Sequence, residues 1–373
     1  MTPSGLIIIH QFRPITGGAE LQAERLARKL IGLGHHMQIL TQWRTPDSPL
    51  EENLQGLEVH RVKFLLTYWI KHGVVDTFRY LVGRRQSYDI MHVQHAFGHA
   101  VVAVVVARCF KKKCIIKIAC AGSFGDLNVF SQFDGFRWAL RILHQADRMI
   151  AISREIEAEL ITWGFSPRQI AYIPNGVDTD YFKRRQPFPD RKIVHFVLIG
   201  RRHPQKGIDI ILKAVQILLK QGLGHCFDLQ LFGRDFPDYD YCLMAEDLGV
   251  QGWVKFCPHS ESMLQIYHSA HCLVLPSRGE GLANSLLEAM AMELAVIATQ
   301  VSGTVDVVEH EREGLLVSPN SAEAVAHAMS LVIHNPELAL TMGQNARLKV
   351  IQKFSLDSVA KQYSELYEEL SLS

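Results

Sequence analysis

Two acids and two cations in the second half of this 373-residue chain have the types and spacing for chemistry: Glu280, Glu288, Arg201 and Lys206. Glu280 sits in a Gly-rich turn, Gly279-Glu280-Gly281, after an apolar run Leu273–Leu275 that Pro276-Ser277 stops. Good helix formers follow, Leu286–Ala291, with Asn284 or Ser285 in position to cap them, and a second apolar run covers Ala295–Ala298. The pattern is strand, loop, helix, strand, with the loop at the carboxyl end of a parallel strand, where open α/β sheets bind ligands. Were the interval helical throughout, the two carboxylates would stand roughly 12 Å apart along the axis. With the first on a loop, both border one cleft. The helix start at Gly281, Leu282, Ala283, Asn284 and Ser285 offers backbone N–H groups to a phosphate. An anion held by backbone among acidic side chains suits a sugar nucleotide, whose hydroxyls the carboxylates accept.

The cations lie on a matching element. Strand Ile193–Ile199 runs into Gly200-Arg201-Arg202-His203-Pro204-Gln205-Lys206-Gly207 and then helix Ile208–Gln221. Glycine, arginine and lysine at a helix start make a diphosphate seat, in which Arg201 forks onto phosphate oxygens and Lys206 acts as a point charge. Arg202 is expected to face solvent. Gly233, ending the apolar run Phe227–Phe232, suits close approach of a ligand, and the end of strand Val254–Cys257 is placed against a nucleotide base.

The amino-terminal half repeats the pattern. Strand Leu6–Ile9 leads through Gly17-Gly18 into an amphipathic helix, Ala19–Leu33, and the glycines would let backbone approach a ligand. Met37–Thr41 and Val59–Lys63 read as strands, as do Asp89–His95, Cys114–Ala119, Ala146–Ile152 and Ile170–Ile173. His95 stands at a strand's carboxyl end, well placed for substrate contacts. The Gly122 to Asp126 loop carries Ser123 and Asp126. Between Phe64 and Arg85, aromatic and basic residues interleave. Two readings stay open there: a helix seated on anionic lipid, or a core-facing helix with a solvated basic end.

Composition sets bounds. The length implies two domains, and 48% hydrophobic with 21% charged residues describes a globular protein. The net charge of +1 is uneven: +5 over residues 1–180, +4 over 181–192 and −8 over 193–373. The asymmetry hints at an anionic partner on the amino-terminal half. Seven scattered cysteines without a Cys-x-x-Cys pair argue for reduced thiols in the cytoplasm and against zinc. The longest apolar run, Ala100–Ala107, is far below the ~20 residues that span a bilayer. A Rossmann fingerprint G-x-G-x-x-G is missing, which disfavours a dinucleotide-linked oxidoreductase.

Four ordered signatures complete the reading: Gly17-Gly18, Pro174-Asn175-Gly176-Val177-Asp178, G-R-x4-K-G from Gly200 to Gly207, and Glu280-x7-Glu288 within P-S-x-x-E-G-x6-E-A-M-A. With them the chain resembles the retaining glycosyltransferases of family 4. That resemblance implies an α/β GT-B fold: two Rossmann-like domains facing each other across a cleft, 1–180 for the acceptor and 193–354 for the donor. It also implies a linker at 181–192 and a carboxyl-terminal helix, 355–373, crossing back onto the first domain. It implies transfer of a hexose or N-acetylhexosamine from a nucleotide diphosphate sugar, UDP-sugar foremost, to a glycan, lipid-linked or small-molecule acceptor.

By the same resemblance Glu280, Arg201, Lys206 and His95 are catalytic. Gly17, Gly18, Gly200, Gly233, Gly281, Leu282, Ala283, Asn284, Ser285 and Glu288 hold the donor, with Glu280 on its sugar and Glu288 on its ribose. No metal, no other cofactor and no nucleic acid is expected; Asp238-Tyr239-Asp240, the metal motif of the other large glycosyltransferase fold, reads as a surface loop. The implied place is the cytoplasm, with peripheral contact to the inner membrane face as an option. Three departures stand out. Ala121 replaces a family histidine that contacts the donor sugar, with Ser123, Asp126 and His95 as candidates to do its work, and Ser123 and Asp126 are assigned to the acceptor. Glu293 and Ala295 replace a usual Gly and Pro, and Asp306 a usual Glu. Ala121 keeps a second reading alive, a catalytically silent sugar-nucleotide or glycan-binding protein on the same fold.

Overall fold

A computed structural model describes residues 2–63, 71–190, 192–260 and 262–372. They form two compact units, Met1–Gly176 with Leu356–Ser373, and Val177–Ser355. The first holds strands β1 (Gly5–Ile8), β2 (Met37–Gln42), β3 (Glu51–Leu54), β4 (Leu57–Val62), β5 (Ile90–Gln94), β6 (Lys113–Ile118), β7 (Arg148–Ala151) and β8 (Ile170–Tyr172). The second holds β9 (Val194–Ile199), β10 (Phe227–Phe232), β11 (Val254–Cys257), β12 (Cys272–Leu275), β13 (Ala295–Thr299) and β14 (Leu315–Val317).

In the first unit the strand order is β3-β4-β2-β1-β5-β6-β7-β8, parallel apart from the β3–β4 pair. β3 was not foreseen, because Glu51-Glu52-Asn53-Leu54 lacks an apolar run; it is an exposed edge strand held by its antiparallel partner. The interior strands are buried, as parallel strands covered by helices must be. The chain ends in this unit. Helix Leu356–Leu372 contributes Val359, Tyr363, Leu366 and Tyr367 to the core, where His92 Nδ1 meets the Tyr367 hydroxyl at 2.9 Å and His35 Nε2 meets Ser364 Oγ at 2.7 Å.

In the second unit the order is β11-β10-β9-β12-β13-β14, all parallel. Both sheets reverse direction beside their first strand, between β1 and β5 and between β9 and β12, so each has a topological switch point. The stretch expected as a linker is folded into the second unit. Phe182 is fully buried, and Arg184 donates to the Tyr267 and Met292 carbonyls at 2.8 and 3.0 Å while its guanidinium lies 3.8 Å from the Phe188 ring centre. A half-buried cation meeting several carbonyls explains how this basic run is tied to the unit.

Of the aromatic and basic segment, Phe64–Ile70 lies outside the described residues; helix Lys71–Gly83 follows it. The basic residues nearby are mostly paired: Arg84 with Glu51, Lys112 with Asp89 at 3.6 Å and Lys113 with Asp147 at 3.9 Å. Among the described residues no helix is long and apolar enough to cross a membrane.

Candidate active site

The site of the second unit is made by two loops, one leaving β9 and one leaving β12, which are neighbours at the switch point. The β9 loop turns through a short 3-10 segment, Pro204–Lys206, started by His203, whose Nδ1 accepts from the Gln205 amide at 3.1 Å. It leaves that turn at Gly207, whose φ of +66° is left-handed and where a Cβ would sit 2.0 Å from the Pro276 carbonyl oxygen. Only glycine satisfies both conditions, so the loops can close on each other.

They are then laced together. The Arg278 amide donates to the Gln205 carbonyl at 2.7 Å, and the Gln205 side chain returns a bond to Gly279 O at 2.8 Å. Arg278 forks onto both oxygens of Asp209, at 2.8 and 2.7 Å, and reaches Pro204 O at 2.7 Å. The outcome is that Lys206 Nζ lies 2.5 Å from Glu280 Oε1, with its stem across Gly200, where a Cβ would come within 3.0 Å of Lys206 Cε. Ser277 Oγ donates to the same Oε1 at 2.7 Å. Glu280 is 7% exposed, and both contacts fall on one of its oxygens.

Helix Asn284–Ala291 begins directly after this loop. The expected cap is corrected: Ala283 occupies that position, no side chain caps the helix, and Asn284 is its first residue. Leu282, Ala283 and Ser285 are buried around it. Glu288 is buried at 5%, one face of the helix having turned it inward, and its Oε2 accepts from the Tyr267 hydroxyl at 2.8 Å. Gly281 is used by its carbonyl, which accepts from the Gly303 amide at 2.8 Å.

Three assignments change with the geometry. At Gly233 the close approach is that of the Gly200 backbone, whose oxygen would lie 1.8 Å from an added Cβ, so this glycine shapes the β9 loop. Arg202 does not face solvent. It is 7% exposed, pairs with Asp235, donates to Cys257 O at 2.8 Å and lies 5.1 Å from the Phe256 ring centre, which fills the strand end placed against a base. Arg201 is the exposed member of the pair, and with burial first, it and Lys206 lower the His203 pKa. Asp240 of the Asp-x-Asp caps helix Tyr241–Asp247, accepting from the Cys242 and Leu243 amides at 3.0 and 2.9 Å.

In the first unit, His95 stands just past β5 at a φ of +70°. Its Nδ1 meets Asp126 Oδ1 at 3.3 Å and Oδ2 at 3.2 Å. Burial works to lower the His95 pKa, but Asp126 and, further off, Glu20 overcome it and the pKa is raised. Asp126, assigned to the acceptor, is 3% exposed and turned inward, its Oδ2 also accepting from the Ala96 and Ala119 amides at 3.3 and 3.4 Å. It therefore positions His95 and two loop backbones. Ser123 is exposed on the short 3-10 segment Gly122–Phe124, and Ala121 is buried at 5%. Gly17 precedes helix Gly18–Gly32 without a side-chain cap, and a Cβ on it would lie 2.7 Å from Glu20 Oε2, so the room that glycine leaves is taken by a carboxylate.

Two Rossmann-like units, each with its candidate residues at the switch point of a largely parallel sheet, make up the GT-B fold. Residues 178–349 match the family described as glycosyl transferases group 1, and residues 16–181 match glycosyltransferase family 4. The chain belongs to glycosyltransferase family 4. It is 25% identical to an uncharacterized glycosyltransferase of Methanocaldococcus jannaschii, over 95% of each chain. Among solved structures it is similar to the sucrose-phosphate synthase of Thermosynechococcus elongatus, with a TM-score of 0.84, 22% identity and 99% of each chain covered. It is also similar to the Anabaena protein HepE solved in complex with UDP-glucose, with a TM-score of 0.81 and 19% identity, covering 98% of this chain and 100% of that one.

Sequence reasoning missed Arg278, Asp209, Gln205 and Tyr267. None forms a local pattern, since each partner lies at least 21 residues away in the chain. Ser277 was legible in principle, as it stands three residues before Glu280.

Proposed function

We propose that the protein is a retaining, metal-independent glycosyltransferase with a UDP-sugar as donor, moving a hexose or N-acetylhexosamine to a hydroxyl of a glycan, lipid-linked or small-molecule acceptor. The second unit takes the donor and the first the acceptor. The observation that carries this reading is the Lys206–Ser277–Glu280 cluster: both contacts fall on Oε1. The carboxylate is thereby held still while Oε2 remains for a sugar hydroxyl. The UDP-glucose bound by the similar Anabaena protein supports the choice of donor.

In the reaction, the bond from the anomeric carbon to the diphosphate oxygen breaks and one to the acceptor oxygen forms on the same face. The acceptor proton passes to a phosphate oxygen of the leaving group. Arg201, Lys206 and the amides at the start of helix Asn284–Ala291 stabilise the charge growing on the diphosphate. Glu280 positions the sugar, and Glu288, fixed by Tyr267, accepts from the ribose. His95, raised in pKa by Asp126, contributes a donor from the first unit. We place this work in the cytoplasm, with any membrane contact peripheral and through the first unit.

The test is a thermal-shift panel of UDP, GDP and ADP sugars, followed by turnover of the preferred donor. Glu280→Ala and Lys206→Ala should each lose at least about tenfold in transfer rate without unfolding the protein. Wild-type turnover in both would remove the assignment. Binding of the donor with no turnover on any acceptor would favour the silent binding protein that Ala121 keeps open.

A further inference from the structure

The first unit carries a cavity of about 620 Å³ lined by Ile15, Gln42, Trp43, Arg44 and Lys63. Its walls follow from the sheet. The parallel register sets Gln42 beside Val62, and the Trp43 amide donates to Val62 O at 2.7 Å, so Trp43, Arg44 and Lys63 leave the carboxyl ends of β2 and β4 together. The turn beyond is closed by Ser48 N on Thr45 O at 3.0 Å and by the Trp43 indole N–H on Ser48 O at 2.8 Å. Arg44 therefore sits on a fixed loop.

The charge is one-signed. Among the described residues neither Arg44 nor Lys63 makes an ion pair. Arg44 instead donates to His10 Nε2. Burial, then the Arg44 charge, then His99 and His95 lower the His10 pKa to about 4, so that imidazole is neutral and accepts from the guanidinium. Two cations, an amide and an apolar wall in one cavity fit a phosphate joined to a carbon skeleton. They also give a location to the +5 charge of residues 1–180.

We propose that this cavity seats a phosphate group carried by the acceptor, with Arg44 and Lys63 as its specificity-determining residues. The inference rests on the reading of the first unit as the acceptor unit. The phosphate belongs either to a small sugar or polyol phosphate or to a lipid headgroup, and the test separates these sources.

Binding to the full chain is measured by calorimetry for glucose, glucose 6-phosphate and glucuronate. Sedimentation with phosphatidylcholine vesicles, with and without phosphatidic acid, covers the lipid source. Glucose 6-phosphate, or the phosphatidic acid vesicles, should bind at least tenfold better than the uncharged counterpart. Inorganic phosphate should compete, and the preference should shrink to within twofold in Arg44→Gln/Lys63→Gln. Equal binding of charged and uncharged probes, a glucuronate preference, or a phosphate preference that survives the double variant overturns the proposal. Should the double variant fail to fold, competition by inorganic phosphate on the wild type decides alone. UDP binding to the wild type is measured in parallel. Its failure would strike the donor reading, whereas failure of the phosphate probes with UDP binding intact strikes only this one.

Discussion

Arg278 and Asp209 meet fork to fork, at 2.8 and 2.7 Å, although 69 residues separate them. Neither belongs to a recognisable motif, yet together with Gln205 they hold the β9 and β12 loops so that Lys206 reaches Glu280. Arg278→Ala and Asp209→Ala should each lower kcat/KM about tenfold, roughly 1.4 kcal/mol in transition-state stabilisation. The double variant should be no worse than either single one, because one latch is lost in all three. Additive losses would show that the two residues act separately.

Tyr267 presents its hydroxyl to Glu288 at 2.8 Å in a buried setting. Tyr267→Phe keeps the ring and removes this one bond to the carboxylate. If Glu288 takes the ribose, the donor KM should rise about three- to tenfold, the net worth of roughly one ordinary hydrogen bond, while kcat stays near wild type. A fall in kcat at constant KM would place Glu288 in the chemical step instead.

The His95 imidazole titrates above its ordinary 6.5 because Asp126 outweighs burial. The stability this pair contributes is present in full below pH 6.5 and is lost as pH rises through the raised value. Asp126→Asn removes the main opposing influence, so burial should then carry the His95 pKa below 6.5. Following the His95 ring proton by NMR against pH checks this, and an unmoved titration would assign the raised value to some other group.

Lys117, 5% exposed on β6, donates to Asn175 Oδ1 at 2.8 Å, and burial lowers its pKa from 10.5 to about 7. Between those values the unfolded chain binds the proton that the folded one has lost, so stability rises with pH across that window. Lys117→Met should abolish that rise. Urea denaturation of both proteins at pH 6.5 and 9.5 measures it, and parallel pH dependence in the two would contradict the burial argument.

Much of this was legible in the residues. Strands announce themselves by apolar runs, and Phe227–Phe232 and Val254–Cys257 begin and end where the pattern places them, since hydrophobic burial and chain breakers act locally. The exposed strand Glu51–Leu54 was invisible for the same reason: among the described residues the strand it pairs with is its hairpin partner, and it has no apolar run of its own. The Asn284 cap shows another limit. A residue's type makes it a capable cap, but the backbone entering the helix put Ala283 in that position.

By itself the sequence determined the chemistry on offer: which acids, cations and glycines exist, in which order, and on which strand-end loops. Tertiary structure alone decided which of them meet. Arg201 and Arg202 are adjacent and chemically identical, yet one is exposed and the other buried against Asp235, Cys257 and Phe256. Asp126 and Ser123 share a loop, yet one supports His95 and the other faces outward. Side-chain burial and pairing depend on elements far apart in the chain, and the free energy that selects among partners exists only once those elements have come together.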